Sequence, residues 1–209
     1  MRNRLAKYLI IAGIVCALAG LSLFFYNKNV EYKAGVYARE TVSELKSIIA
    51  SRNSGDPLPS DNKKASDQES SDENADASDP IDTVKLGGRD YIGYISIPSL
   101  GLELPVMAEW SYEKLQESPC RYSGFPETDD LVIAAHNYST HFGFISDLRL
   151  NDSVSYTDIQ GKRTDYKVVL IDTLSPASVD NMTSGEYALT LFTCTYSGQA
   201  RVTVRLNRM

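Results

Sequence analysis

Cys194 ends a short apolar run, Thr190-Leu191-Phe192-Thr193-Cys194, in a chain of 209 residues with three cysteines. His136 ends a second apolar run, Leu131-Val132-Ile133-Ala134-Ala135, and Arg201 opens a third, seven residues after the cysteine. A thiol beside an imidazole can ionise to a thiolate, the form that attacks a carbonyl carbon. A guanidinium next to them can hold a substrate carbonyl, or the oxyanion that develops from it. Acyl transfer is the chemistry these three groups could perform together. Each also has a plain structural reading. A cysteine after an apolar strand is ordinarily a buried small residue, a histidine before Asn-Tyr can cap a loop, and an arginine on an edge strand is usually solvated. Spacing does not choose between these readings. The catalytic one requires that three strand ends meet on one rim.

The elements that would bring them there are short and β-rich. Tyr91–Ile97, Leu102–Met107, Leu131–Ala135, Ser153–Thr157, Tyr166–Asp172, Ala188–Thr193 and Arg201–Leu206 read as strands. They carry β-branched and aromatic residues and are separated by turn signals such as Pro98-Ser99 and Gln160-Gly161-Lys162. Tyr112–Glu117 and Phe142–Leu148 read as short helices. Many short strands with few helices suggest a closed barrel or a sandwich, and nothing repeats at a fixed period.

Ahead of this domain, Arg2, Arg4 and Lys7 precede an uncharged apolar run from Tyr8 to Tyr26, long enough to cross a bilayer as a helix. The basic tip should stay in the cytoplasm and place the rest outside. Ala17-Leu18-Ala19 resembles a signal-peptide cleavage site, but Leu21 to Phe25 continue the apolar run beyond it, so residues 1–27 are read as an uncleaved anchor. Cys16 lies within the span and is read as an inert apolar residue. Val30, Ala34, Tyr37, Thr41, Leu45 and Ile48 recur at helical spacing, which predicts a helix over 28–50, a stalk or a segment packed on the domain. Residues 51–80 turn to Ser, Asp, Asn, Glu and Pro and read as a disordered acidic linker. The folded domain is 81–209.

Charge excludes some partners. The net charge is −6, and the stretch from Asp56 to Asp82 alone holds nine acidic residues against two lysines. The remainder is near neutral, and no basic stripe points to nucleic acid. No CxxC pair is present, and the two histidines, His136 and His141, make a cysteine/histidine zinc site an unattractive reading.

Thr190-Leu191-Phe192-Thr193-Cys194 resembles the TLxTC signature of the sortases, the cysteine transpeptidases of Gram-positive cell surfaces. Ile92-Gly93-Tyr94-Ile95-Ser96-Ile97-Pro98 followed by Leu104-Pro105-Val106 is similar to that family's first two strands. Leu131 to Asn137 is similar to the strand and loop that carry its histidine, and Arg201 stands at the place of its arginine. The resemblance implies an eight-stranded sortase-type β-barrel with short helices, behind a transmembrane helix and linker. It also implies roles. Cys194 would attack the threonine carbonyl of an LPXTG-like sorting signal, His136 would act as general acid/base, and Arg201 would orient substrate and stabilise the oxyanion. Thr193, Ala135 and Asn137 would line the substrate site, Ala135 standing where many relatives have glycine. Arg205, on the same strand face as Arg201 by the two-residue period, is the fallback. His141 is read as structural or on the surface, and Cys120 as packed.

The implied partners are sorting-signal proteins and an amine acceptor, a lipid-linked cell-wall precursor or a pilin lysine. No cofactor is implied. Glu127, Asp129 and Asp130 could hold the calcium known from some members, with a solvated acidic loop the preferred reading. The subclass stays open. The chain ends at Met209 without a second apolar span, unlike many pilus-polymerising members. The connection from Leu174 to Tyr187 is short for class B, while the His136–Gly143 stretch is closer to class B than to class A. Two other functions use the same sequence: an endopeptidase releasing surface proteins to water, and a non-enzymatic binding barrel presenting some of the thirteen tyrosines.

Overall fold

A computed structural model describes residues 2–54 and 81–209. One helix, α1 (Arg2–Ser54), runs through the apolar segment and onward. Its first half is exposed and apolar enough to cross a membrane. Its second half lies against the domain, with Ala34, Ala38, Val42, Leu45 and Ile49 buried at the spacing of three and four that puts side chains on one helix face. Of the two readings of residues 28–50, a free stalk does not describe this arrangement. Leu45 packs with Tyr91, Met107 and Cys120, and the Tyr37 and Tyr91 hydroxyls lie 2.9 Å apart. Residues 51–54, expected in the linker, continue the helix because the domain still supports them: Arg52 Nη1 donates to the Ile159 carbonyl at 3.4 Å. The rest of the expected linker, 55–80, lies outside the described residues.

The domain is a sheet closed on itself. Its strands are β1 (Val84–Leu86), β2 (Arg89–Ile97), β3 (Leu102–Met107), β4 (Cys120–Ser123), β5 (Leu131–Ala134), β6 (Ser153–Asp158), β7 (Arg163–Leu174), β8 (Leu189–Cys194) and β9 (Arg201–Arg208). The order β2-β3-β4-β5-β8-β9-β7-β6 returns to β2 through a β2–β6 pairing, giving eight barrel strands with β1 added on β2. Closure removes free edges from those eight. Gly93 sits at the closing seam with φ +150°, and a Cβ there would fall 2.1 Å from the Thr157 carbonyl oxygen, so the two backbones meet only because the side chain is absent. β1 and β4 were not expected from sequence. β1 has three residues, and β4 is Cys-Arg-Tyr-Ser with little alternation to read. β1 is a strand through a local hairpin with β2, Val84 opposite Tyr91, whereas β4 owes its state to partners further along the chain, Cys120 pairing with both Met107 and Ala134.

The short helix α2 (Tyr112–Glu117) is present, its start capped by the Ser111 hydroxyl accepting from Lys114 N. The expected helix Phe142–Leu148 is only a 3₁₀ turn at Ile145–Asp147. Phe142, Ile145 and Leu148 are all buried, a spacing of three that suits the tighter coil. A single-turn helix, α3 (Val179–Met182), interrupts the connection before β8.

Strand parity separates core from surface. Leu131, Ile133, Ala135, Leu189, Leu191, Val204 and Leu206 belong to the barrel core. The alternate residues on β5 and β8, Val132, Ala134 and Phe192, form a second apolar layer outside with Met182. Because successive side chains point to opposite faces, His136, Cys194 and Arg201 all fall on the outward parity.

Candidate active site

Cross-strand register builds the site. β5 and β8 run parallel with Ala134 opposite Phe192. The ladder continues one step past β5: Ala135 N donates to the Phe192 carbonyl at 3.1 Å, and Thr193 Oγ1 donates to the Ala135 carbonyl at 2.8 Å. His136 therefore leaves β5 beside Cys194. β8 and β9 are antiparallel, with Cys194 directly opposite Arg201. Histidine, cysteine and arginine thus occupy three neighbouring strand ends on one rim.

Cys194 is exposed and unbridged, and Cys120 is buried and unbridged. Burial pushes the Cys120 thiol up to about 12, which keeps it protonated and inert at neutral pH. The Arg201 guanidinium is turned onto its own approach, Nη1 donating to the carbonyls of Gly198 and Ala200 at 3.2 Å each. The His136 ring stacks on Tyr138, with centroids 4.2 Å apart and planes 3° from parallel. Both polar ends of Asn137 meet His136 Nδ1: its backbone N donates at 3.1 Å, and its side-chain Oδ1 lies 3.0 Å away. No hydrogen bond joins His136, Cys194 and Arg201 to one another among the described residues. His136 lines a cavity of about 590 Å³ with Tyr138, Glu31, Lys28 and Tyr26. Cys194 lines an adjoining one of about 140 Å³ with Thr193, Phe142 and Gly143. Asn137 and Tyr196 wall both.

Of the residues expected to line a substrate site, Asn137 and Thr193 reach these cavities, although Thr193 is buried and also staples β5 to β8. Ala135 does not face substrate. Its side chain is in the barrel core, because it alternates with His136 and so points inward. Its carbonyl is what supports the rim. Arg205 is buried and engaged elsewhere: Nη1 donates to Thr190 Oγ1 at 2.9 Å and to the Met182 carbonyl at 3.1 Å, and Nη2 donates to the Asn181 carbonyl at 2.6 Å. It ties the segment before β8 to β9. His141 is fully buried, and neither ring nitrogen has a partner among the described residues. Burial and then the neighbouring His136 depress it to about 4, with Glu31 opposing.

Two carboxylates of the acidic loop are engaged within the protein. Asp129 pairs with Arg208 at 2.6 Å, and Asp130 accepts from Phe125 N at 2.9 Å and from the Thr128 hydroxyl. No group of three or more His, Cys, Asp or Glu side chains able to hold a metal occurs among the described residues.

Several site residues had escaped the sequence reading. Tyr138 and Tyr196 flank the histidine and the cysteine, and a tyrosine two residues from each was the available signal. Trp110, Tyr122 and Phe192 form an aromatic row on the outer face, with centroids 5.3 and 5.2 Å apart, leading along β8 toward Cys194. Glu31 and Lys28 come from α1, with no signal in sequence to connect them to His136.

The fold and the rim together define a closed eight-stranded barrel with an exposed thiol, an imidazole and a guanidinium on adjacent strand ends. The sequence model of the family described as Sortase domain matches residues 95–209, and the chain belongs to the sortase family. Among solved structures, the chain is similar to sortase A from Corynebacterium diphtheriae (25% identity, TM-score 0.53, 58% of this chain and 61% of that one). It is also similar to sortase C1 from Streptococcus agalactiae (27% identity, TM-score 0.52, 57% of this chain and 67% of that one). A Clostridium perfringens sortase D5 transpeptidase shares the fold at 21% identity and TM-score 0.52, over 57% of this chain and 79% of that one. The match thus spans less than two thirds of the diphtherial enzyme's length. No curated protein sequence matches the chain.

Proposed function

We propose that the chain is a membrane-anchored cysteine transpeptidase that cleaves an LPXTG-like sorting signal after threonine and passes the acyl group to an amine. The observation that carries this reading is the shared outward parity of His136, Cys194 and Arg201 on three adjacent strand ends. The Cys194 thiolate, formed by passing its proton to His136, attacks the threonine carbonyl, and the C–N bond breaks as the departing amine takes that proton from the His136 imidazolium. A thioacyl intermediate remains. An incoming amine loses its proton to His136, attacks the thioester carbonyl, and releases the thiolate. Arg201 swings off the Gly198 and Ala200 carbonyls to stabilise the oxyanion in both halves, and His136 leaves the Tyr138 stack to reach the leaving group. The amine belongs to a lipid-linked wall precursor or to a pilin lysine. The basic tip, Arg2, Arg4 and Lys7, lies in the cytoplasm and the barrel outside.

Full-length protein in nanodiscs, incubated with LPXTG-like peptides with and without a glycine-based or diamino acid nucleophile, tests this by mass spectrometry. Expected are cleavage after threonine, an amine-linked product, and loss of both in Cys194→Ala while the domain stays folded. Hydrolysed product with every amine tried would make the chain an endopeptidase. Turnover surviving in Cys194→Ala would remove the site assignment.

A further inference from the structure

Glu31 lies five residues beyond Tyr26, where the apolar run ends, so it stands roughly 7–8 Å further along the helix. Its carboxylate is mostly buried and does two jobs. Oε2 pairs with Lys28 Nζ at 2.8 Å, and Oε1 accepts from the backbone N–H of Ser139. The Glu31 carbonyl also accepts from Thr140 Oγ1 at 3.2 Å. One turn on, Gly35 opens a notch for the same threonine: a Cβ there would lie 2.7 Å from Thr140 Cγ2. Two consecutive loop residues are therefore gripped by one turn of the anchor helix.

Between that grip and the histidine lies a single tight coil. Phe142 N donates to the His136 carbonyl at 3.2 Å, and both His141 N and Gly143 N donate to the Tyr138 carbonyl, at 3.0 and 2.9 Å. Tyr138 is the ring on which His136 rests. Moving Ser139 and Thr140 would move Tyr138, and with it the imidazole.

We infer that Glu31 is a positioning residue for the His136 loop, so that the docked anchor helix sets how the imidazole is presented to Cys194. A carboxylate accepting a backbone N–H is among the stronger hydrogen bonds available for such a task, and small displacements of a catalytic group reduce turnover steeply. The inference rests on the transpeptidase reading for its kinetic consequence, but the tether itself can be read without substrate.

The test uses full-length protein in nanodiscs, as wild type, Glu31→Ala and Glu31→Gln, with two readouts. In hydrogen exchange followed by mass spectrometry, Glu31→Ala is expected to speed exchange across 137–141 by about tenfold. Amides of β5, β8 and β9 should be unchanged, which also shows that the variant is folded. In peptide turnover, kcat should fall at least about fivefold, with KM within about twofold of wild type. Glu31→Gln keeps an oxygen for Ser139 without the charge, and should restore both readouts most of the way. Unchanged exchange in Glu31→Ala overturns the tether. Faster exchange with unchanged kcat, or a loss confined to KM, overturns the positioning role. Glutamine as damaging as alanine places the effect in the Lys28 pair and overturns the hydrogen-bond argument. If wild type turns over no peptide, the proposed function fails, and exchange alone decides the tether.

Discussion

Arg201 and His141 make opposite demands on a measurement. Among the described residues Arg201 is held by two carbonyls of an exposed turn, bonds that contribute about 1 kcal/mol or less at such a site. Arg201→Ala should leave the melting temperature almost unchanged while turnover falls on the order of 100-fold, the scale for losing an oxyanion donor; an early melt would assign it a structural role instead. His141 reads through stability. It is buried and held near 4 in the fold, against about 6.5 when unfolded. Between those values the unfolded chain binds a proton that the folded chain does not. Stability is therefore complete above about pH 6.5 and falls as pH drops toward 4, by about 3 kcal/mol across the window. Urea unfolding at pH 7 and pH 4.5 should show that loss, and His141→Leu should remove its contribution.

At the scale of elements, the segment between β7 and β8 is held by the Arg205 side chain together with the buried Met182. Arg205 reaches two carbonyls and one hydroxyl with its planar fork, and its guanidinium lies over the Tyr187 ring at 5.4 Å. Burial lowers its pKa. Arg205→Ala should destabilise the domain by about 1–3 kcal/mol and expose 175–187 to protease before the barrel unfolds. Equal protection in wild type and variant would mean that α3 holds itself. Two of the three arginines of β9 are thus divided by register: Arg201 stands opposite Cys194 and Arg205 opposite Thr190.

Across the whole molecule, α1 and the barrel are packed together rather than merely joined. Leu45 is fully buried against Tyr91, Met107 and Cys120. Leu45→Ala should cost about 2–4 kcal/mol and loosen the helix from β2 and β3. Cys120 reports the change. In the folded wild-type chain a thiol reagent should label Cys194 and spare Cys120, whereas in Leu45→Ala Cys120 should become reactive. The docked helix also brings Phe24 and Tyr26, at the end of the apolar span, to the cavity that His136 lines, so the rim opens beside the end of that span.

The apolar runs ending in His136 and Cys194, and the run that Arg201 opens, were legible because alternation and turn residues are local properties. So were α2, the apolar span and the face of α1 that carries Thr41 and Leu45. A local signature was also enough to suggest the family. What lay beyond the sequence was set by partners far along the chain. β4 is a strand only because Met107 and Ala134 flank it, and Ala135 points inward because of the parity that turns His136 out. Arg205 lost its place in the site to three acceptors that fold over it. Glu31 met Ser139 across 108 residues. Periodicity identifies which face of an element is apolar, but not which other surface will cover it, and that choice belongs to the closed barrel and the helix packed against it.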